Sequence, residues 1–114
     1  MVEYSRGRLD GTFAALADPT RRAMLAMLRK GSRSVSDLAQ PFPMSLQAVM
    51  KHLDVLLNAG LITRKKEGRT VACALRPQPL KAANRWLKHY EQMWEERLDR
   101  FEQYVENLQR GEPS

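Results

Sequence analysis

The feature that most restricts the fold of this chain is a change of hydrophobic period at Gly60 and a change back near Pro79. Up to Gly60 the apolar residues recur at three- and four-residue intervals. From Leu61 the pattern becomes two short extended runs, Leu61-Ile62-Thr63-Arg64-Lys65-Lys66 and Thr70-Val71-Ala72-Cys73-Ala74-Leu75, either side of Glu67-Gly68-Arg69. Beyond Pro79 it is helical again to about Gln109. Spacing near 3.6 marks helices that bury one stripe, and a pair of short runs around a glycine marks a hairpin. The predicted fold class is therefore mainly α with a small β-hairpin, in the order helix, helix, short helix, helix, strand, strand, long helix. A chain of 114 residues is one small domain. At this size only roughly two-thirds of the unfolded surface is buried, so a leftover apolar face calls for a partner.

The helical part divides at clear punctuation. Residues 1–8 carry no period and are expected to form a mobile arm. Leu9, Phe13, Leu16 and Ala17 then fall at helical spacing. Asp18-Pro19 ends that segment and opens the next, with Asp18 as N-cap and Pro19 at the first helical position. The second helix runs from Thr20 to Lys30 and stops at Gly31; Met24, Leu25, Met27 and Leu28 make its apolar stripe, which leaves Arg21, Arg22, Arg29 and Lys30 for solvent or phosphate. Ser34-Val35-Ser36-Asp37 has the spacing of a capping box and starts a short third helix that Pro41 breaks. After the Pro41-Phe42-Pro43 corner, Ser45 caps a fourth helix. It places Leu46, Val49, Met50, Leu53, Leu56 and Leu57 on one side and Gln47, Ala48, Lys51, Val55 and Asn58 on the other, and ends at Asn58-Ala59-Gly60. Two short helices joined by a corner, the second with a small and polar outer face, are what a helix-turn-helix requires.

Charge points the same way. The chain carries a formal +6, but residues 1–76 hold 13 Lys and Arg against 6 Asp and Glu, whereas residues 77–114 hold 6 against 7. An excess confined to one part of a folded chain points to an anionic polymer or surface. The hairpin is its densest patch: Arg64, Lys65, Lys66 and Arg69 surround a single Glu67, as in a wing that lies on a phosphate backbone or enters a minor groove. On the fourth helix, Gln47 suits adenine, Ala48 a thymine methyl, and Lys51 either guanine or phosphate. Ser45 is expected at a phosphate while capping its helix, and His52 to be structural, on phosphate or at a base edge. The expected partner is double-stranded DNA.

The last helix carries Leu80, Leu87, Trp94, Phe101 and Leu108 at intervals of seven, with a second line drifting from Ala83 and Tyr90 to Leu98 and Val105. About 30 residues make a rod of roughly 45 Å, longer than such a domain can cover. Its stripe is expected to pack on a second copy through Leu87, Tyr90, Trp94, Leu98, Phe101 and Val105, together with Leu9 and Phe13 of the first helix. The expected organisation is an arm at 1–8, a DNA-binding part at 9–76, a dimerisation helix at 77–110 within the same compact domain, and a tail at 111–114. A protein-interaction module built on the last helix, with non-specific or no DNA binding, is the competing function.

Other classes fare worse. The longest apolar run, Ala23 to Leu28, is far short of the roughly 20 residues that span a bilayer, and no signal-peptide pattern opens the chain. No membrane partner is expected, and a cytoplasmic, nucleoid-associated protein is. One cysteine and two histidines make neither a disulfide nor a closed zinc site, and no nucleophile, base or paired-carboxylate set stands in a catalytic context. The chain is expected to be no enzyme, to hold no metal and to need no cofactor. Cys73 alternates with Val71 and Leu75, which predicts an inward, inert thiol, with a redox switch as the other reading. No residue pattern names an effector.

Taken in order, five stretches carry a family resemblance: Leu16-Ala17-Asp18-Pro19-Thr20-Arg21-Arg22, Ser34-Val35-Ser36-Asp37-Leu38, Ser45-Leu46-Gln47-Ala48-Val49-Met50-Lys51-His52-Leu53, Ala59-Gly60-Leu61-Ile62 and Glu67-Gly68-Arg69. The chain resembles the ArsR family of bacterial repressors. The resemblance implies a winged helix-turn-helix fold with a long C-terminal dimerisation helix, and a dimer that represses by occupying a promoter. Metal-sensing members carry Cys-Val-Cys-Asp-Leu where this chain has Ser34-Val35-Ser36-Asp37-Leu38, and hydroxyls are poor ligands for soft metals. Others bind zinc on the last helix with Asp, His and Glu, where this chain offers only His89 with Glu91 and Glu96. Met50 also departs, standing where the family commonly has serine, a change expected to affect packing more than base readout.

Overall fold

The computed structural model describes residues 2–111. Its elements are α1 (Val2–Leu16), α2 (Pro19–Leu28), β1 (Arg33–Ser34), α3 (Val35–Ala39), α4 (Leu46–Asn58), β2 (Ile62–Glu67), β3 (Thr70–Leu75) and α5 (Gln78–Gln109). The chain divides into two compact units, Met1–Ala83 and Asn84–Ser114. The division comes later than the expected boundary at 76 because Leu80 packs against the first unit's core and Ala83 is buried.

Side-chain capping sets the helix starts. The Asp18 carboxylate accepts the Arg21 N–H at 3.0 Å with Pro19 at the first position of α2. Ser34 Oγ accepts the Asp37 N–H and Ser45 Oγ the Ala48 N–H, each at 3.1 Å. In each case the hydroxyl or carboxylate satisfies an N–H that has no partner inside its helix. At the other end of α4, Gly60 takes φ +74°, the Gly60 N–H donates to Leu57 and the Leu61 N–H to Leu56. These two bonds close a Schellman motif, which turns the chain directly into β2.

The core of the first unit is built on one stripe per element: Met24, Leu25 and Leu28 of α2, Leu38 of α3, Val49, Leu53 and Leu56 of α4, then Leu61, Ile62 and Cys73. The sheet is antiparallel in the order β1-β3-β2. Ile62 pairs with Leu75, Arg64 with Cys73 and Glu67 with Thr70. Gly68, at φ +62°, is the first residue of the two-residue loop, the place where a II′ hairpin turn favours glycine.

Four expectations need correction. No break separates residues 2–8 from α1, which starts at Val2 and not at Leu9; the apolar period of the sequence begins only at Leu9 and is silent on the residues before it. Met1 and residues 112–114 of the expected arm and tail lie outside the described residues. The sheet has a third strand, β1, in which Arg33 pairs with Cys73 and Ser34 with Ala72; two residues are too few to show alternation. Arg21 and Arg22 are engaged and not left for phosphate: Arg21 Nε and NH2 donate to the Ala15 and Ala14 carbonyls, and Arg22 NH1 to that of Leu16. Two guanidinium groups thus close the C-terminus of α1, where free carbonyls and the helix dipole favour cations. Finally, Leu46 lies on the apolar side of α4 but is exposed and takes no part in the core.

Candidate nucleic-acid interface

The helix-turn-helix consists of α3, the 41–45 corner and α4. Burial of Val49, Leu53 and Leu56 fixes the rotation of α4, so Gln47, Lys51 and Asn58 are exposed and Ala48 is half-buried. Ser45, exposed, spends its hydroxyl as an acceptor for the Ala48 N–H, yet its own O–H stays available to donate to phosphate.

Two polar ties hold this helix in place. His52 Nδ1 lies 3.2 Å from Arg21 NH1. A guanidinium only donates, so Nδ1 accepts and the ring proton sits on Nε2. His52 Nδ1 is also 3.8 Å from the Asp18 carboxylate. Arg21 therefore joins the end of α1, the start of α2 and the middle of α4. The Arg21 N–H above all holds the Asp18 carboxyl below its ordinary range, opposed by desolvation and helped by the Arg21 charge and by His52 whenever its ring is protonated. The second tie is Arg64 NH1 to Asp54 Oδ1 at 2.7 Å, between β2 and α4. Arg64 is half-buried, with 23% of its side chain exposed.

The predicted wing residues therefore separate. Lys65, Lys66 and Arg69 are exposed on β2 and the hairpin tip, while Arg64 is paired with Asp54 and ties β2 to α4. Sequence reasoning missed the partners Arg21 and Asp54. Asp54 carried a usable signal: it is the only acidic residue in α4, and a lone carboxylate on a helix offered to phosphate needs a cation beside it.

Cys73 is fully buried on the central strand, and burial pushes its thiol above the ordinary range against the opposing charge of Arg64. Thiolate chemistry is disfavoured there. Ser34, Val35, Ser36 and Met50 line an open groove with Arg69, Thr70 and Val71. Among the described residues no group of three or more His, Cys, Asp or Glu could hold a metal ion, and no helix is long and apolar enough to cross a membrane.

Comparison with known proteins decides what this arrangement is. Residues 16–65 match a family described as a helix-turn-helix domain. The HTH-type transcriptional regulator Rv2034 of Mycobacterium tuberculosis is 34% identical over 98 residues, covering 86% of this chain and 89% of that protein. A crystal structure of an ArsR family transcriptional regulator is 44% identical, with a TM-score of 0.74 over 79% of this chain and 93% of that one. The chain belongs to the ArsR family of winged helix-turn-helix transcriptional regulators.

An ArsR-like regulator from Rhodococcus sp. RHA1 is similar over a greater part of the chain: 34% identity, a TM-score of 0.67, 87% of this chain and 93% of that one. The transcriptional repressor SdpR of Bacillus subtilis is 28% identical over 82 residues, which is 72% of this chain and 91% of that protein. Membership makes this chain a DNA-binding transcriptional regulator and no enzyme, and sets aside the interaction-module reading. Within the ArsR framework, Ser34 acts as the N-cap of α3 where metal-sensing members carry a cysteine. Met50 packs against the core.

Proposed function

We propose that this ArsR-family chain is a homodimeric repressor that binds a pseudo-palindromic operator, with α4 of each copy in successive major grooves about 10 bp apart. The observation that carries this reading is the exposure of Gln47 and Lys51 on a helix locked at two points by His52–Arg21 and Asp54–Arg64, beside Lys65, Lys66 and Arg69 on the wing. A preset helix holds its side chains at one depth and register, as base readout demands. Gln47 pairs with adenine, Ala48 meets a thymine methyl, and Lys51 reaches guanine or phosphate. Ser45 donates to phosphate. His52 positions α4. Arg64 aims the wing, and Lys65, Lys66 and Arg69 contact phosphate.

The dimer forms on Leu87, Tyr90, Trp94, Leu98 and Phe101 of α5, all exposed, with half-buried Val105 on the same helix and half-buried Leu9 and Phe13 of α1 contributing. With its thiol buried and protonated, Cys73 leaves repression insensitive to mild oxidants.

Operators selected from a random duplex pool test this reading. Affinity falls linearly with salt on a log–log scale, by about 0.9 per phosphate contact. Replacing Lys66 and Arg69 together with alanine lowers both the affinity and that slope; an unchanged slope removes the wing from the interface.

A further inference from the structure

The open groove beside α4 is lined from three places: Ser34, Val35 and Ser36 where β1 runs into α3, Met50 of α4, and Arg69, Thr70 and Val71 where the hairpin tip runs into β3. Its chemistry is divided. Half-buried Val35, Met50 and Val71 make an apolar part, while Ser34, Ser36, Arg69 and Thr70 bring three hydroxyls and a guanidinium. The Ser34 hydroxyl accepts the Asp37 N–H, which leaves its own proton to donate. Among the described residues no carboxylate lines the groove; Asp37, next to Ser36, and Glu67, the cross-strand partner of Thr70, lie outside the lining. Arg69 therefore repels a cation, and a wholly apolar ligand leaves the hydroxyls without partners. A stable protein interface takes roughly 20–30 residues a side, against seven here. What fits is an anionic group on a partly apolar frame, which is the composition of a nucleic-acid backbone: phosphate oxygens that accept, joined to deoxyribose carbons that pack on apolar side chains.

Position points to the same ligand. Met50 stands about 60° around the helix from exposed Gln47, at 100° per residue, so the groove borders the exposed face of α4. In a helix-turn-helix the first helix crosses the backbone while the second lies in the major groove, and it is the first helix, α3, that supplies Ser36.

We infer that this groove seats one backbone phosphate of the operator, held by the Arg69 guanidinium and the Ser36 and Thr70 hydroxyls, with a deoxyribose packed on Met50 and Val71. The inference rests on the placement of α4 proposed above. It adds Ser36 and Thr70 to the residues that contact DNA, and it joins α3 to the wing tip through one phosphate.

The test uses the full chain and the duplex it enriches from a random pool. Each phosphate of that duplex is replaced in turn by methylphosphonate, which removes one charge and keeps the backbone continuous. Binding is measured for the wild type and for the double variant Ser36→Ala, Thr70→Val. Both positions are exposed, alanine suits a helix and valine a strand, so the fold is kept, and thermal melting checks this. In the wild type, neutralising one phosphate in each half-site is expected to weaken binding about tenfold. The double variant binds the unmodified duplex about tenfold more weakly and loses less than about twofold further at that phosphate, since the two changes remove one interaction. The inference is overturned if the double variant keeps wild-type affinity, or if it loses as much as the wild type at every phosphate. Inorganic phosphate, compared with chloride at equal ionic strength and without DNA, separates the two sources of this chemistry. The melting temperatures of wild type and double variant are expected to respond alike; a stabilisation by phosphate that only the wild type shows assigns the groove to a free phosphate and overturns the DNA contact. Failure of the chain to enrich any duplex overturns the placement of α4 as well, so the two failures read differently.

Discussion

At the scale of single residues, the placement of α4 depends on groups that lie away from its exposed face. Arg21 gathers two carbonyls of α1, His52 of α4 and, through its own N–H, the carboxylate of Asp18. Asp18 is the acid-sensitive member. Its carboxyl is held below the ordinary range, so the folded state favours the carboxylate; the resulting stability is complete above the ordinary aspartate range and is lost as pH falls through the lowered value. Asp18→Asn keeps a capping oxygen but not the charge. The stability advantage of the wild type over Asp18→Asn, measured by urea unfolding, is thus expected at neutral pH and disappears in strong acid. A difference that persists unchanged at low pH removes the carboxylate from this network.

At the scale of elements, legibility followed the range of the signal. The starts of α2, α3 and α4 were readable because each cap lies three residues from the N–H it serves. The turn at Gly60 and the hairpin at Gly68 were readable because positive φ selects glycine locally. The early start of α1 and the strand β1 were not, since neither presents a face of measurable period. The Arg21–His52 and Arg64–Asp54 ties were also hidden, because their partners stand 31 and 10 residues apart and only the packed fold brings them together. Of the candidate site, the outer face of α4 was legible from helical spacing, whereas the division of the wing into one engaged and three exposed cations was not. Gly60 gives an element-scale prediction. A Cβ there meets only Pro79 Cγ at an ordinary 3.8 Å, so Gly60→Ala costs only the left-handed conformation, about 1–2 kcal/mol. The urea midpoint falls accordingly, with operator affinity of the folded fraction unchanged.

At the scale of the whole molecule, the apolar surplus that a short chain cannot bury is concentrated on α5, where Trp94 and Phe101 are 60% and 64% exposed. Trp86 and Tyr90, one turn apart, bring their ring centroids to 4.9 Å with the planes tilted by 48°. If this face joins two copies, introducing charge into it separates them and removes the linkage between half-sites, which is worth on the order of 100-fold or more in affinity. Trp94→Glu and Phe101→Glu are each expected to sediment as monomers and to bind the full operator at least about 100-fold more weakly; a dimeric, tightly binding variant overturns this role for α5.

The sheet order has a separate consequence for handling the protein. With β3 in the centre, the outer edges are β1, only two residues long, and β2. An unpaired strand edge is a template for another chain unless it is short or charged. Lys65 and Lys66, exposed on β2, therefore protect this edge against strand-to-strand aggregation. Chains in which both lysines are replaced are therefore expected to lose solubility, whatever the replacement does to DNA binding.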